Sequence, residues 1–375
     1  MLNVIVNRRE LLKAIHIVEN AVKENKIREV LSGIYIEAKE NKVILKGTDL
    51  EVSISTEIEC EVIQEGKIVI KHKLIEEFLK QISDDKIELN EESGKLVIKT
   101  SATDTEFSIY DAENFPIQTK LETGVEYNFN KDELLTHIEN VKISAATEVE
   151  NLAVNCIRLE IGENKLKLVS SDTYRLTFIE EELPESQRNK EDLNVSIPLK
   201  TIDGLIKIMK LIDEETITIK SDSSKVFFKI ANVEILTRVI ELQFPDYKTI
   251  LKNVDHNKKI LLNTKDFTSV LRRTLIFARD NKETKNGGIF NFQNNKLYLT
   301  GTNEYAQIKE ELPTIQEGDD IKISLNVKFL LDYISIISGK VTEIRLLNSK
   351  SSVIIKDEDS DKSLYFTMPL ALREN

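Results

Sequence analysis

Along residues 8–22 the apolar side chains Leu11, Ile15, Val18 and Val22 recur at helical spacing, and Leu134, Ile138 and Val141 repeat that pattern within residues 131–145. A third stretch, TKDFTSVLRRTLIFA at residues 264–278, takes the same place in the order. Second helical segments start near Lys71, Pro198 and Ser324, and Pro198 suits a first helical turn. The predicted helices are therefore residues 7–23, 71–81, 130–143, 198–212, 264–279 and 324–340. Behind each second helix the period changes to two. Residues 86–100 (KIELNEESGKLVIKT), 216–230 (TITIKSDSSKVFFKI) and 342–357 (TEIRLLNSKSSVIIKD) alternate apolar and polar positions across a short polar connector, which predicts hairpins.

The order itself repeats. NKVILKGTD at residues 41–49 returns as NKLKLVSSD at 164–172 and as NKLYLTGTN at 295–303, offsets of 123 and 131 residues. Such a period is a domain's length, whereas solenoid units run to roughly 20–50 residues. Phe115-Pro116, Phe244-Pro245 and Met368-Pro369 stand at corresponding places near the ends of the copies. The chain thus reads as an α+β protein of three repeated domains, residues 1–122, 123–252 and 253–375, each with two helices packed on antiparallel sheet. The nine-residue motif reads as a strand entering a tight turn.

A chain of 375 residues with 41% apolar content can bury several ordinary cores. It contains no run of 18 apolar residues, and Met1 leads directly into the strand-like LNVIV. A soluble, cytoplasmic protein without a membrane partner is expected. Cys60 sits in the alternating run Val52, Ile54, Ile58, Cys60, Val62, as a buried strand residue, and Cys156 lies in a predicted strand, so both are expected to be structural. No Gly-rich phosphate loop, GxSxG or HExxH occurs. His16, His72, His137 and His256 are scattered one per region. Asp357, Asp359 and Asp361 imitate the start of an EF-hand loop, but Lys362 and Met368 occupy its required Gly and Glu positions. Asp84-Asp85 and Asp319-Asp320 fall at polar turns. No catalytic residue, metal site or cofactor is expected.

The net charge of −12 counts against a nucleic-acid partner until its distribution is examined. The six predicted helices together carry +8, which leaves −20 for the remainder. Basic helices on an acidic body attract phosphates to one surface and repel them elsewhere. Size supplies a second constraint. A 125-residue domain is equivalent to a sphere roughly 35 Å across, so three in a closed ring leave a gap of only about 5 Å. Six leave a hole about one domain wide, and two chains in head-to-tail contact supply six. Closure would also remove exposed sheet edges.

GTDLEVSI (residues 47–54), SDTYRL (171–176), FPDYKTIL (244–251) and YFTMPL (365–370) resemble the bacterial DNA polymerase III beta subunit, the sliding clamp, in order over the entire length. The resemblance implies a homodimeric ring that encircles double-stranded DNA irrespective of sequence. It also implies a clamp loader driven by ATP, tethering of the replicative polymerase alpha subunit, and docking of repair polymerases, ligase and mismatch-repair proteins. Phosphate contacts are then expected from Lys73, Lys200, Lys207, Lys210, Arg272 and Arg273 on the helices, with Lys26 and Arg28 in the following loop. By the same resemblance a peptide pocket is built from Val154, Thr173, Tyr174, Arg175, Leu176, Pro245, Ile250, Ser352, Phe366, Met368, Pro369 and Leu370, an apolar cleft with one cation. Phe107 and Ile109 on a first-domain edge strand are expected to meet Ile276 and Phe277 of a second copy. The chain departs from many relatives at Thr173-Tyr174, where they carry Gly-His, and at Thr249, Leu152-Ala153 and Glu29. An enzyme and a repeat-built scaffold that never touches DNA are the rival readings.

Overall fold

The structure, a computed structural model, describes residues 1–118, 121, 123–148, 150–222, 224–252 and 256–371. They fall into two compact units, residues 1–135 with 200–239 and residues 136–199 with 240–375. The expected domain boundary at Glu122, residues 253–255 beside the boundary at Lys252, and tail residues 372–375 lie outside the described residues. The described helices are α1 (Arg8–Val18), α2 (His72–Gln81), α3 (Lys131–Lys142), α4 (Leu199–Leu211), α5 (Tyr247–Lys252), α6 (Thr264–Ala278) and α7 (Val327–Ile334).

All six predicted helices form, with different ends. α1 tightens after Val18 into a 3₁₀ turn, Glu19–Ala21. α7 starts at Val327 because the Asn326 side chain accepts the Phe329 N–H. It stops at Ile334, where Ile336 and Ile337 bond back three residues and close the helix, short of the expected residue 340. Pro198 ends an edge strand, Leu193–Pro198, and does not open α4. α5 escaped prediction because six residues are too few to show a period; its local signal is Asp246, whose side chain accepts the Thr249 N–H at 3.1 Å.

In the first unit one antiparallel sheet of thirteen strands runs from Val125–Asn130 through Thr216–Ser221, Lys225–Ile230 and Val233–Arg238 into Val52–Glu59 and Lys42–Thr48. Strands of the second repeat thus continue the sheet of the first, with Ile235 opposite Ile54 and Thr237 opposite Val52. Pairing across the join covers edges that each half-sheet alone would leave open. α1 buries Leu11, Ala14, Ile15 and Val18. Its first turn is capped by Asn7, which accepts the N–H groups of Arg9 and Glu10.

The second unit has a nine-stranded and a four-stranded sheet. The nine-stranded sheet also joins two repeats, strand Arg175–Glu182 pairing with Ser363–Thr367. Phe267 and Leu271 of α6 and Leu330 and Tyr333 of α7 pack with Phe290, Phe292 and Tyr365 in one buried core. Inside this unit a buried Thr264–Thr342 hydroxyl pair, 3.0 Å apart, ties the start of α6 to a strand; Thr201 and Thr237 make the same contact at 2.9 Å in the first unit.

The nine-residue motif acquires a physical meaning. Ahead of each copy, Glu40-Asn41, Glu163-Asn164 and Asn294-Asn295 all have positive φ, the two-residue hairpin turn that matches strand twist. The strand follows, and its closing Asp49, Asp172 or Asn303 accepts the N–H groups two and three residues on. Near the strand end stand Gly47, Ser170 and Gly301. A Cβ on Gly47 would lie 2.5 Å from the Val18 carbonyl, and one on Gly301 would lie 3.0 Å from that of Thr274. Ser170 instead donates its hydroxyl to Val141 O at 2.5 Å. The motif is therefore a turn, a strand and a helix seat.

Two local expectations are corrected. Cys60 is half-buried and lies in the break between strands Val52–Glu59 and Glu61–Gln64, where its N–H bonds to Asn41 O; the alternation stops one residue before it. Strand Asp104–Tyr110 is only partly an edge. Asp104–Ser108 pair with Lys95–Lys99, whereas Ile109 and Tyr110 pair with Ile70 and Val69, so Phe107 lies in the part still open on one side and Ile109 in the part joined to Gly66–Ile70.

Candidate functional site

A cleft of about 710 Å³ in the first unit gathers Lys26, Lys73, Lys200 and Lys207, with Lys71 beside them. Three elements deliver these side chains: the loop after α1, the start of α2, and one face of α4, where Lys200 and Lys207 are two turns apart. Gly204 lies between them in the helix and faces Asn20, where a Cβ would make an ordinary contact at 3.4 Å. The loop is folded by Asn25, whose side chain accepts the N–H groups of Ile27 and Arg28, and whose N–H bonds to Ser32 Oγ at 2.7 Å. Arg28 is exposed on the same loop, and Lys210 is exposed one turn beyond Lys207.

The basic candidates differ in how their charge is used. Lys200 forms a salt bridge with Asp49, the turn residue that closes the first copy of the motif. In the second unit Arg272 and Arg273 are exposed on α6, and Arg273 holds Glu310 through both Nε (2.6 Å) and Nη2 (2.9 Å). Lys26, Lys73 and Lys207 make no salt bridge among the described residues, although Glu19, Glu24, Glu29 and Asp203 line the same cleft.

The residues expected to form a peptide pocket lie along one seam of the second unit. Leu176 pairs with Phe366, Arg175 with Thr367, and the Met368 N–H bonds to Tyr174 O at 2.9 Å. Leu176 and Phe366 belong to a buried cluster with Cys156, Phe244, Tyr247 and Ile354, which brings in the ends of Pro245 and α5. Val154 is buried just before Cys156, and Ser352 is half-buried just before Val353, which pairs with Thr367. Above this floor Tyr174 is 68% exposed, and Met368 and Ile250 are also exposed. Pro245, Pro369 and Leu370 are half-buried, with the Leu370 N–H fixed to Ser324 O at 2.8 Å. Thr173 has φ +77°, as Leu50 does at the same motif position, so the turn and not the side chain sets the shape.

The expected cation, Arg175, is held by carboxylates. Arg175 donates from Nε to Asp172 Oδ2 at 2.9 Å and from Nη1 to Asp332 Oδ2 at 3.0 Å, and its guanidinium lies 4.0 Å from the centre of the Phe329 ring. Lys328 also reaches Asp332 Oδ2 at 3.0 Å, so two carboxylates meet two cations and the charge of Arg175 is spent inside the protein. Sequence reading missed Asp332 and Phe329 because α7 lies 157 residues from Arg175. Asp172 had a signal, since it closes the repeated motif three residues before Arg175.

Of the residues expected at a subunit contact, Phe107 is half-buried with its ring 6.0 Å from that of Phe78, and Ile276 is 64% exposed, which excludes a core role for it. Phe277 is half-buried. Strand Gln307–Pro313 ends the four-stranded sheet and presents an open edge in the second unit.

Family models match the chain three times in succession: the DNA polymerase III beta subunit N-terminal domain over residues 2–119, its central domain over 128–246 and its C-terminal domain over 252–371. The chain belongs to the DNA polymerase III beta subunit family. The beta sliding clamp of Staphylococcus epidermidis is 26% identical over 361 residues, covering 91% of this chain and 92% of that protein. That of Pseudomonas putida is 24% identical over 372 residues, covering 98% and 99%. The solved beta subunit of Thermotoga maritima superposes with a TM-score of 0.91 at 26% identity, covering 100% of both chains. A beta subunit from Pseudomonas aeruginosa, 22% identical, shares the fold with a TM-score of 0.91 over 99% of this chain and 100% of its own. As a member of this beta subunit family the chain is a sliding clamp, a processivity subunit and not a catalyst.

Proposed function

We propose that two copies of this chain, each of three domains with boundaries near residues 122 and 252, close head to tail into a six-domain ring around duplex DNA. The observation that carries this reading is the convergence of Lys26, Lys73, Lys200 and Lys207 on one cleft of a chain whose net charge is −12. Phosphate contacts of this kind carry no sequence information, so they allow sliding, while topology prevents escape. Arg28, Lys210, Arg272 and Arg273 would extend the basic lining. The subunit contact would use Phe107 and Ile109 against Ile276 and Phe277 of the other copy.

Polymerase alpha subunit, clamp loader, repair polymerases, ligase and mismatch-repair proteins would dock through short apolar peptide segments on the seam between Leu176 and Phe366. Its buried floor and its exposed Tyr174, Met368 and Ile250 suit the helix-free insertion of one or two apolar side chains, with Met368 adapting to different shapes. Replication in the cytoplasm is the expected setting, and no helix among the described residues is long and apolar enough to cross a membrane.

The deciding experiment loads the chain onto nicked circular DNA with a clamp loader and ATP, then isolates the DNA by gel filtration. Retention on the circle and loss after linearisation are expected; equal retention on both forms would exclude a topological link. A second measurement concerns the unpaired lysines. Lys26→Ala, Lys73→Ala and Lys207→Ala together are expected to weaken DNA binding and to lower the slope of log affinity against log salt by about 3 per chain. An unchanged slope would remove these residues from the DNA surface.

A further inference from the structure

Two of the histidines expected to be scattered converge in the first unit. His16 lies in the last turn of α1 and Glu19 follows three residues later, on the same side of the helix; Glu76 faces them from α2. His16 Nε2 is 2.9 Å from Glu76 Oε1, and one ligand atom from each of His16, Glu19 and Glu76 lies within 4.8 Å of the others. His72, one turn before Glu76 on α2, places Nε2 3.6 Å from Glu19 Oε2. Its residue is only 7% exposed, and its Nδ1 has no hydrogen-bond partner.

We propose that His16, Glu19 and Glu76 form a binding site for one divalent transition cation of the zinc class, bridging α1 to α2. An imidazole nitrogen with two carboxylate oxygens is a three-ligand set that such a cation accepts at about 2.0–2.2 Å, leaving a fourth position for water. Ligand atoms around one tetrahedral ion sit about 3.3 Å apart. The present spacing brackets that value, so side-chain rotation is enough to close the site. The two carboxylates balance the ion's charge. Mg²⁺ and Ca²⁺, which prefer all-oxygen shells, fit less well than a borderline cation that takes nitrogen.

Binding requires the His16 Nε2 lone pair, so the ring proton moves to Nδ1 or leaves to solvent. His72 would donate its Nε2–H to Glu19 and hold that carboxylate in position. One competitor is built in. Lys80 Nζ lies 2.5 Å from Glu76 Oε1 and would have to swing away when the ion enters.

Metal-free full-length chain titrated with ZnCl₂ against a chromophoric chelator is expected to bind one ion per chain. Glu76→Gln and His16→Gln should each weaken that binding at least tenfold, and Lys80→Gln should tighten it several-fold. The Co²⁺-loaded chain should lack the thiolate charge-transfer band that ligation by Cys60 or Cys156 would produce. Circular dichroism confirms that each variant is folded, and Lys80→Gln keeps all three ligands. Absence of stoichiometric binding, a thiolate band, or affinity unchanged in Glu76→Gln or in Lys80→Gln would overturn the assignment.

Discussion

Arg175→Ala is expected to lower the stability of the second unit by about 3 kcal/mol, the usual scale for stripping the partner from a mostly buried ion pair. The Arg175 side chain is 10% exposed, and those of Asp172 and Asp332 are 18% and 27% exposed. Without the guanidinium Asp172 loses its cation, Asp332 keeps only the more exposed Lys328, and Phe329 loses the cation stacked on its ring. Arg175→Lys keeps the charge but cannot reach both acids in the same plane, so an intermediate loss is expected. Urea denaturation followed by circular dichroism reads the shift. Asp172→Asn in the Arg175→Ala background should recover part of it, because the carboxylate left without a cation is gone while its side-chain oxygen still accepts the turn N–H groups. An unshifted midpoint would mean that the triad contributes nothing to the unit. Because Arg175 anchors the turn that carries Tyr174, binding of an apolar clamp-binding peptide should fall at least tenfold in the same variant.

Phe107→Asp combined with Ile276→Asp is expected to convert a dimer of this chain into monomers. Ile276 is a large apolar residue with most of its surface in water, and Phe107 lies on the open part of its strand. Both features are liabilities unless a second chain covers them. In a closed ring each of the two contacts would then bury two unpaired carboxylates, at a cost of several kcal/mol apiece. Sedimentation equilibrium decides between outcomes. A dimer that persists at micromolar concentration would refute this contact. Monomers that keep the parent far-UV circular dichroism spectrum would show that the substitutions act at a surface.

Much of this was legible in one dimension. Periodicity and the repeated order of segments located six helices, and triplication of the nine-residue motif set the number of repeats, because turn, strand and helix seat are each short-range features. Local rules also explain the errors. Six-residue α5 is too short to show a period, α7 ends where 3₁₀ bonding takes over, and Pro198 serves a strand edge as readily as a helix start. The basic cleft was partly visible, since Lys200 and Lys207 sit on one helix, but the addition of Lys26 and Lys73 depends on packing. The pairing of Lys200 with Asp49 and of Arg273 with Glu310 was not visible, because those partners are 151 and 37 residues away.

Order along the chain is enough to read the repeated α+β unit, its family and the residue types available for DNA and peptides. These follow from spacing along the chain, which survives in any conformation. Tertiary structure alone decided which charges stay unspent. It placed Asp332 against Arg175, turned an expected cation into a neutralised anchor, and brought His16, Glu19 and Glu76 within ligand distance. Such contacts join residues far apart in sequence, and only the pairing of strands and the seating of helices on them selects which acids and bases meet.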